Sequence, residues 1–157
     1  MPDQTEPTFT RRFLLYVPAY NCANKIVSVL QEIPEKYWSE ADILVIDNCS
    51  PDGTADQVVA ANAANTFPRP VRVIRPFENL DYAGSQKLAY KLALRSPSVE
   101  WVIMLHGDGQ YEPELLSLFD PYFDERYGVV QGYRSKKMFG AKEETPWSTY
   151  VVIKALD

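Results

Sequence analysis

Trp101-Val-Ile-Met-Leu-His-Gly-Asp-Gly-Gln-Tyr111 is the stretch on which the fold turns. Trp101–Leu105 is apolar without alternation. A half-exposed strand alternates apolar with polar residues, whereas a short continuous apolar run suits a strand buried on both faces, as in a parallel sheet. The run ends in a Gly-Asp-Gly turn that carries a carboxylate. The same construction recurs on both sides of it. Phe13–Val17 leads into Pro18-Ala-Tyr-Asn-Cys22, and Ile43–Ile46 into Asp47-Asn-Cys-Ser-Pro-Asp-Gly-Thr54. Val71–Ile74 leads into the segment Arg75–Lys87, and Val129–Val130 into Gly132-Tyr-Arg-Ser-Lys-Lys137. The run centres are roughly 30 residues apart, the length of a strand plus a crossover helix.

The segments between the runs have helical spacing. Ile26, Val29, Leu30 and Ile33 share one face, and Pro34 stops that helix. Thr54 and Gln57 stand at capping-box spacing after the Pro51-Asp52-Gly53 turn. Leu88, Ala89, Leu92 and Ala93 line a third helix, and Pro113 suits the first turn of a fourth with Leu115, Leu116 and Phe119 inward. The pattern predicts an α/β domain, a mainly parallel twisted sheet flanked by helices. Trp147–Leu156 is expected to begin a further helix whose apolar face needs a partner, with self-association as one way to supply it.

The chain has 157 residues, 46% of them hydrophobic and 24% charged, which fits one globular domain. The net charge of −5 argues against nucleic acid and anionic membrane as general partners. One histidine and two cysteines, Cys22 and Cys49, exclude a poly-His or four-thiolate metal site and a disulfide framework. A reducing, cytoplasmic setting follows as the default. No apolar run is long enough to span a bilayer. Arg11-Arg12 before Phe13 superficially resembles a twin-arginine export signal, but the apolar run breaks at Pro18 with no small-residue cleavage site.

Ligands of open parallel sheets bind at the carboxyl ends of the strands, where this chain collects its unusual polar residues. There is no G-x-G-x-x-G after the first strand, no phosphate loop of the G-x-x-x-x-G-K-[ST] type and no G-x-S-x-G elbow. A receiver-like domain is disfavoured because Pro18-Ala-Tyr stands where an acidic pair would be needed.

Taken in order, the five loops resemble those of the family-two glycosyltransferases of the GT-A fold, whose pattern is P-A-Y-N-E, D-D-G-S-x-D-G-T, N-x-G-x-G-x-x-x-[NRK], D-x-D-x-Q-[HY] and G-S-R. The matching segments are Pro18–Cys22, Asp47–Thr54, Asn79–Lys87, His106–Tyr111 and Gly132–Arg134. The nearest branch is similar to the dolichyl- and polyprenyl-phosphate sugar transferases. The resemblance implies a single nucleotide-sugar-binding domain over residues 1–157. Within it, 1–11 is a polar tail, 12–134 the donor-binding core and 135–157 the start of an acceptor region, either cut short or naturally brief.

The resemblance also implies roles. Pro18, Ala19 and Tyr20 would wall the nucleobase, Val45 would pack against it, and Asp47 would accept from its ring nitrogen. Gly107 and Asp108 would meet the diphosphate, and Lys87, at the start of the third helix, would approach its phosphates. Asp108 and Gln110 would hold Mg²⁺ or Mn²⁺, and His106, standing where the family has its first aspartate, is either a third ligand or a polar strand-end residue that touches no metal. Arg134, with Lys136 and Lys137, would hold an acceptor phosphate. The chemistry implied is metal-dependent, inverting transfer of a sugar from a nucleoside-diphosphate sugar to a polyprenyl-phosphate or saccharide acceptor. It would occur in the cytoplasm or at the cytoplasmic face of a membrane. No catalytic base is marked, although Glu143 and Glu144 lie in the region where the family places one. Cys22 for the family glutamate, His106 for aspartate and Asp81 for glycine keep a second reading open: a truncated or degenerate nucleotide-sugar-binding module without turnover.

Overall fold

The continuous apolar runs form the centre of a sheet. In the structure, a computed structural model that describes residues 8–123, 126–133 and 149–154, strand β1 (Phe13–Ala19) lies between β2 (Ala41–Asp47) and β4 (Trp101–Met104). Strand β3 (Arg72–Ile74) lies beyond β2. All three pairings are parallel, with Phe13 opposite Ala41 and Trp101, and Ala19 opposite Asp47. Side chains alternate between two buried clusters. Phe13, Leu15, Val17, Ile43 and Val45 face α1 (Ile26–Gln31), α2 (Glu35–Glu40), α3 (Thr54–Ala63) and a 3-10 helix at Pro113–Tyr122. Leu14, Tyr16, Leu44, Ile46 and Met104 face α4 (Asp81–Leu94) through Ala89, Leu92 and Ala93. Helices on both faces explain why the strand sequences do not alternate. The predicted α/β architecture is the one observed.

Several elements differ from expectation. Thr149–Lys154 is not helical but forms β6, antiparallel to β4 and to β5 (Val129–Tyr133), giving the order β3-β2-β1-β4-β6-β5. Thr-Tyr-Val-Val-Ile is rich in β-branched and aromatic residues, which are stiff at χ1 and favour a pleated surface over a helix. Self-association through a helix here therefore has no helix to use. Pro34 ends one helix but also precedes α2, which buries Tyr37 and Trp38. The fourth helix is of 3-10 type. Pro113, Leu116 and Phe119 recur every third residue and are buried together, while Leu115 turns outward.

Thr54 is the first residue of α3, and Gly53, with φ of 82°, is its cap, without a side-chain bond. The expected capping box is therefore absent. Asp52 accepts from the Thr54 amide and hydroxyl instead.

Candidate active site

The strand order reverses between β1 and β4, the kind of place where open α/β sheets bind ligands at the carboxyl ends of their strands. Asp47 ends β2, Pro18–Tyr20 end β1, and Gly107–Asp108 follow β4. β2 and β4, the strands these acids follow, are two strand spacings apart, roughly 10 Å.

The loops after β1 and β2 are interlocked. Three successive amides of the first loop donate to side chains of the second: Asn21 to Ser50 Oγ (3.1 Å), Cys22 to Thr54 Oγ1 (3.0 Å) and Ala23 to Asp52 Oδ2 (3.0 Å). Thr54 Oγ1 in turn donates to Asp52 Oδ1 at 2.6 Å. That hydroxyl, and then the Ala23 amide, hold the Asp52 carboxyl below its ordinary pKa. Asn48 ties in the loop after β3: its Nδ2 donates to Asn79 Oδ1 and its Oδ1 accepts from the Leu80 amide, both at 2.7 Å. These positioning residues carry no catalytic signature in the sequence. Their only signal is small polar residues recurring down one loop, a composition that turns and caps also produce.

Asp47 is fully buried. Its Oδ1 accepts from the Ser50 amide at 3.0 Å, while Oδ2 has no hydrogen-bond partner. Arg75 Nε stands 3.9 Å from Oδ2, near enough for charge attraction but too far for a hydrogen bond. Arg75 Nη2 donates to the Ser50 carbonyl at 3.0 Å. A buried carboxylate oxygen left without a donor is costly, and a ligand N–H would relieve it. Sequence reading gives Asp47 its place but does not single out Arg75.

Gly107 is fixed by packing. A Cβ there would lie 2.9 Å from Ile26 Cδ1, 3.2 Å from Val17 Cγ1 and 3.3 Å from the Pro18 carbonyl, which accepts from the Gly107 amide. His106 is held between two rings, stacked on Tyr82 (5.8 Å, 15°) and tilted against Tyr111 (5.1 Å, 35°). Burial pushes the His106 pKa below its ordinary value, against the pull of Asp108. A neutral imidazole keeps a nitrogen lone pair for a cation. Asp108 Oδ1 accepts from the Gln110 amide at 3.0 Å. Asp108 and His106 are a donor set that Mn²⁺ accepts, and the carboxylate also suits Mg²⁺. Among the described residues, no three His, Cys, Asp or Glu come together as a metal cage. The fit is to a cation that completes its shell with diphosphate and water oxygens.

The remaining candidates are placed as follows. Pro18 is partly buried, Ala19 is buried, and Tyr20 is 53% exposed with its ring free to stack. Val45 is wholly buried in the helix-covered cluster, so it supports the strand beneath Asp47 and offers no surface to a base. Lys87 is exposed but is not at the start of its helix. The helix begins at Asp81, which puts Lys87 nearly two turns along, roughly 9 Å from the N-terminus. Cys22 is buried, and desolvation pushes its thiol up to about 11, so it does not replace the negative charge of a glutamate. Arg134, Lys136, Lys137, Glu143 and Glu144 lie outside the described residues.

Comparison with known proteins bears on the fold. Staphylococcus aureus TarS 1–349 in complex with UDP-GlcNAc is similar at a TM-score of 0.55 and 23% identity, over 75% of this chain and 33% of that one. The Pyrobaculum calidifontis mannosyltransferase PcManGT in complex with GDP-Man and Mn²⁺ gives 0.57 and 25%, over 79% and 36%. Mycobacterium tuberculosis glucosyl-3-phosphoglycerate synthase with Mn²⁺, UDP and glucosyl-3-phosphoglycerate gives 0.55 and 22%, over 81% and 46%. The chain thus spans about a third to under half the length of these structures, and the likeness shows a fold of GT-A type. No curated protein matches in sequence. The model of glycosyl transferase family 2 matches residues 15–150, from the first strand of the sheet into the last, and to that family the chain belongs.

Proposed function

We propose that the chain binds a nucleoside-diphosphate sugar with a divalent cation and transfers the sugar, with inversion, to a polyprenyl-phosphate or saccharide acceptor at the cytoplasmic face of a membrane. The observation that carries this reading is the pair Asp47 and Asp108, flanking the end of β1 at the switch point, with Asp47 buried and one of its oxygens without a hydrogen-bond donor. The nucleotide sugars and Mn²⁺ held by the structural neighbours support it.

In this reading Asp47 orients the base and Tyr20 lies against its face. The interlocked loops keep the pocket in shape before the ligand arrives, which reduces the ordering cost of binding. Asp108 and His106 hold the cation, which when bound neutralises charge on the departing diphosphate. The acceptor oxygen forms its bond to the anomeric carbon as the bond from that carbon to the diphosphate oxygen breaks. An acceptor phosphate is already an anion and needs no strong base, so a lipid phosphate suits a chain without a marked one.

Calorimetric titration of UDP, GDP and their sugars, with and without Mn²⁺, tests the reading. Saturable heat that grows with Mn²⁺ is expected, and the absence of heat for every nucleotide at millimolar concentration rejects it. One observation favours a binding module without turnover: the neutral, buried Cys22 in place of an acid. A multiple-turnover assay against polyprenyl phosphate and simple sugars separates the two.

A further inference from the structure

Lys25 lies outside the five loop motifs, three residues beyond Cys22. Its backbone is fixed. The amide donates to the Cys22 carbonyl at 2.9 Å, and the carbonyl accepts from the Val29 amide at 3.0 Å and from Ser28 Oγ at 2.8 Å. Its side chain is exposed and runs along the turn after β4, where Cδ comes within 3.6 Å of the position a Cβ on Gly109 would take. A long lysine packs its stem on the surface and leaves the ammonium in water. That ammonium therefore ends beside the turn that carries Asp108, and among the described residues it has no ion-pair partner. The neighbouring cations are placed otherwise. Arg75 is turned to Asp47 and the Ser50 carbonyl, and Lys87 stands nearly two turns up α4.

The acids of this end of the sheet call for a cation there. Asp47, Asp52, Asp81 and Asp108 all stand at or after strand ends, and a diphosphate entering among them adds further negative charge. A donor whose base sits at Asp47 and whose diphosphate reaches Asp108 crosses the end of β1. Its terminal phosphate then lies on the β4 side, where the Lys25 stem lies. From this, and resting on the nucleotide-binding reading above, we infer that Lys25 binds the terminal phosphate of the donor and stabilises it as the leaving group. The bond from the anomeric carbon to the terminal phosphate oxygen breaks, and its electron pair stays on that oxygen. The acceptor oxygen forms the new bond to the carbon. The ammonium keeps its proton throughout and offers N–H donors to the oxygen on which charge grows. A charge-assisted bond of this kind is stronger than a neutral one. Its effect is confined to ligands that carry the second phosphate, since the base and the first phosphate lie toward β2.

Calorimetry of Lys25→Met against UDP, UMP, GDP and GMP at fixed Mn²⁺ tests this. For whichever diphosphate the wild type binds, affinity is expected to fall at least about fivefold, while the matching monophosphate changes by less than about twofold. Lys25→Arg should recover most of the diphosphate affinity, because a guanidinium also donates to phosphate oxygens. Lys91→Met removes the same charge from an exposed position on α4, about 15 Å along the helix from Asp81, and should leave both ligands alone. Lys25 is exposed, so urea unfolding of Lys25→Met should match wild type. A diphosphate affinity unchanged in Lys25→Met, or an equal loss for monophosphate and diphosphate, would overturn the assignment and leave nucleotide binding standing. If the wild type binds none of the four, the nucleotide reading falls and this inference with it.

Discussion

After β2, the polar side chains turn back onto the protein. Asn48, Ser50, Asp52 and Thr54 each take or give a hydrogen bond to a neighbouring loop, and Asp47 gives one oxygen to its own turn. After β4 the arrangement is different. His106 is held by ring contacts on Tyr82 and Tyr111, Asp108 uses one oxygen on Gln110, and Gly107 packs against Val17, Ile26 and the Pro18 carbonyl. The first loop is kept in shape by directional bonds, the second by packing. A hydrogen-bonded scaffold suits the recognition of a flat base edge. A packed turn with a partly exposed carboxylate suits a cation that arrives with its own oxygen ligands.

The largest effects should come from breaking each support in its own way. Gly107→Ala forces a methyl group against Val17, Ile26 and the Pro18 carbonyl, and overpacking of this kind costs about 1–3 kcal/mol. At Gly109, with φ of 71°, a Cβ meets only ordinary contacts, so Gly109→Ala costs about 1 kcal/mol of backbone strain. Urea unfolding of the two variants checks the contrast, and equal losses would mean that packing does not hold the loop.

Thr54→Val keeps the shape of the side chain but leaves the buried Cys22 amide without an acceptor, at a cost of about 2 kcal/mol. It also carries a pH signature. The Asp52 pKa is lower folded than unfolded, chiefly through the Thr54 hydroxyl. The stability it contributes is in place above about pH 4 and is lost as pH falls through the lowered value. The variant should therefore lose less on acidification than wild type, read by unfolding at pH 7 and pH 3. An identical acid-side loss would remove Asp52 from the interlock.

How much of this the sequence shows depends on whether a residue's partner lies close to it in the chain. The four parallel strands are legible because continuous apolar runs such as Phe13–Val17 have few alternatives. The strand-end places of Asp47 and Asp108 are legible because each acid follows a continuous apolar run closely in the chain. β6 is misread because Val151, Val152 and Ala155 fit a helical face as well as a strand, and only the pairing with β4 and β5 decides. The interlock is not legible because its acceptors, Ser50, Thr54 and Asp52, meet backbone amides 29 to 32 residues away, and an amide has no residue-type signature. Lys87 is misplaced because the start of α4 at Asp81 carries no strong cap signal.

Asp108→Asn tests the β4 loop without loosening it. The amide oxygen can still accept from the Gln110 amide, so unfolding should be nearly unchanged while one negative charge is lost. Mn²⁺-dependent nucleotide affinity should fall at least about tenfold, about 1.4 kcal/mol, by calorimetry. Unchanged metal dependence would move the cation elsewhere. The same substitution should leave metal-free UMP binding alone, since that contact belongs to the β2 side.

The smallest expected effect runs in the favourable direction and concerns the loop that joins the two regions. Asp81 opens α4 with φ of 57°, a left-handed backbone that aspartate tolerates better than most residues but glycine adopts freely. Asp81→Gly relieves that strain. Against the gain stand the greater freedom of glycine in the unfolded chain and the loss of an acid from the first turn of a helix. The net stabilisation should be about 0.5 kcal/mol in urea unfolding. Asp81→Asn separates backbone from charge, since asparagine also tolerates the left-handed region but carries no charge. It should leave stability near wild type while sharing with glycine a rise of about twofold in nucleotide affinity, from removal of one carboxylate near the diphosphate. If both variants bind nucleotide as wild type does, the diphosphate does not pass the start of α4. If Asp81→Gly is less stable than Asp81→Asn, the freedom of glycine in the unfolded chain and the loss of a polar side chain outweigh the relieved backbone angle.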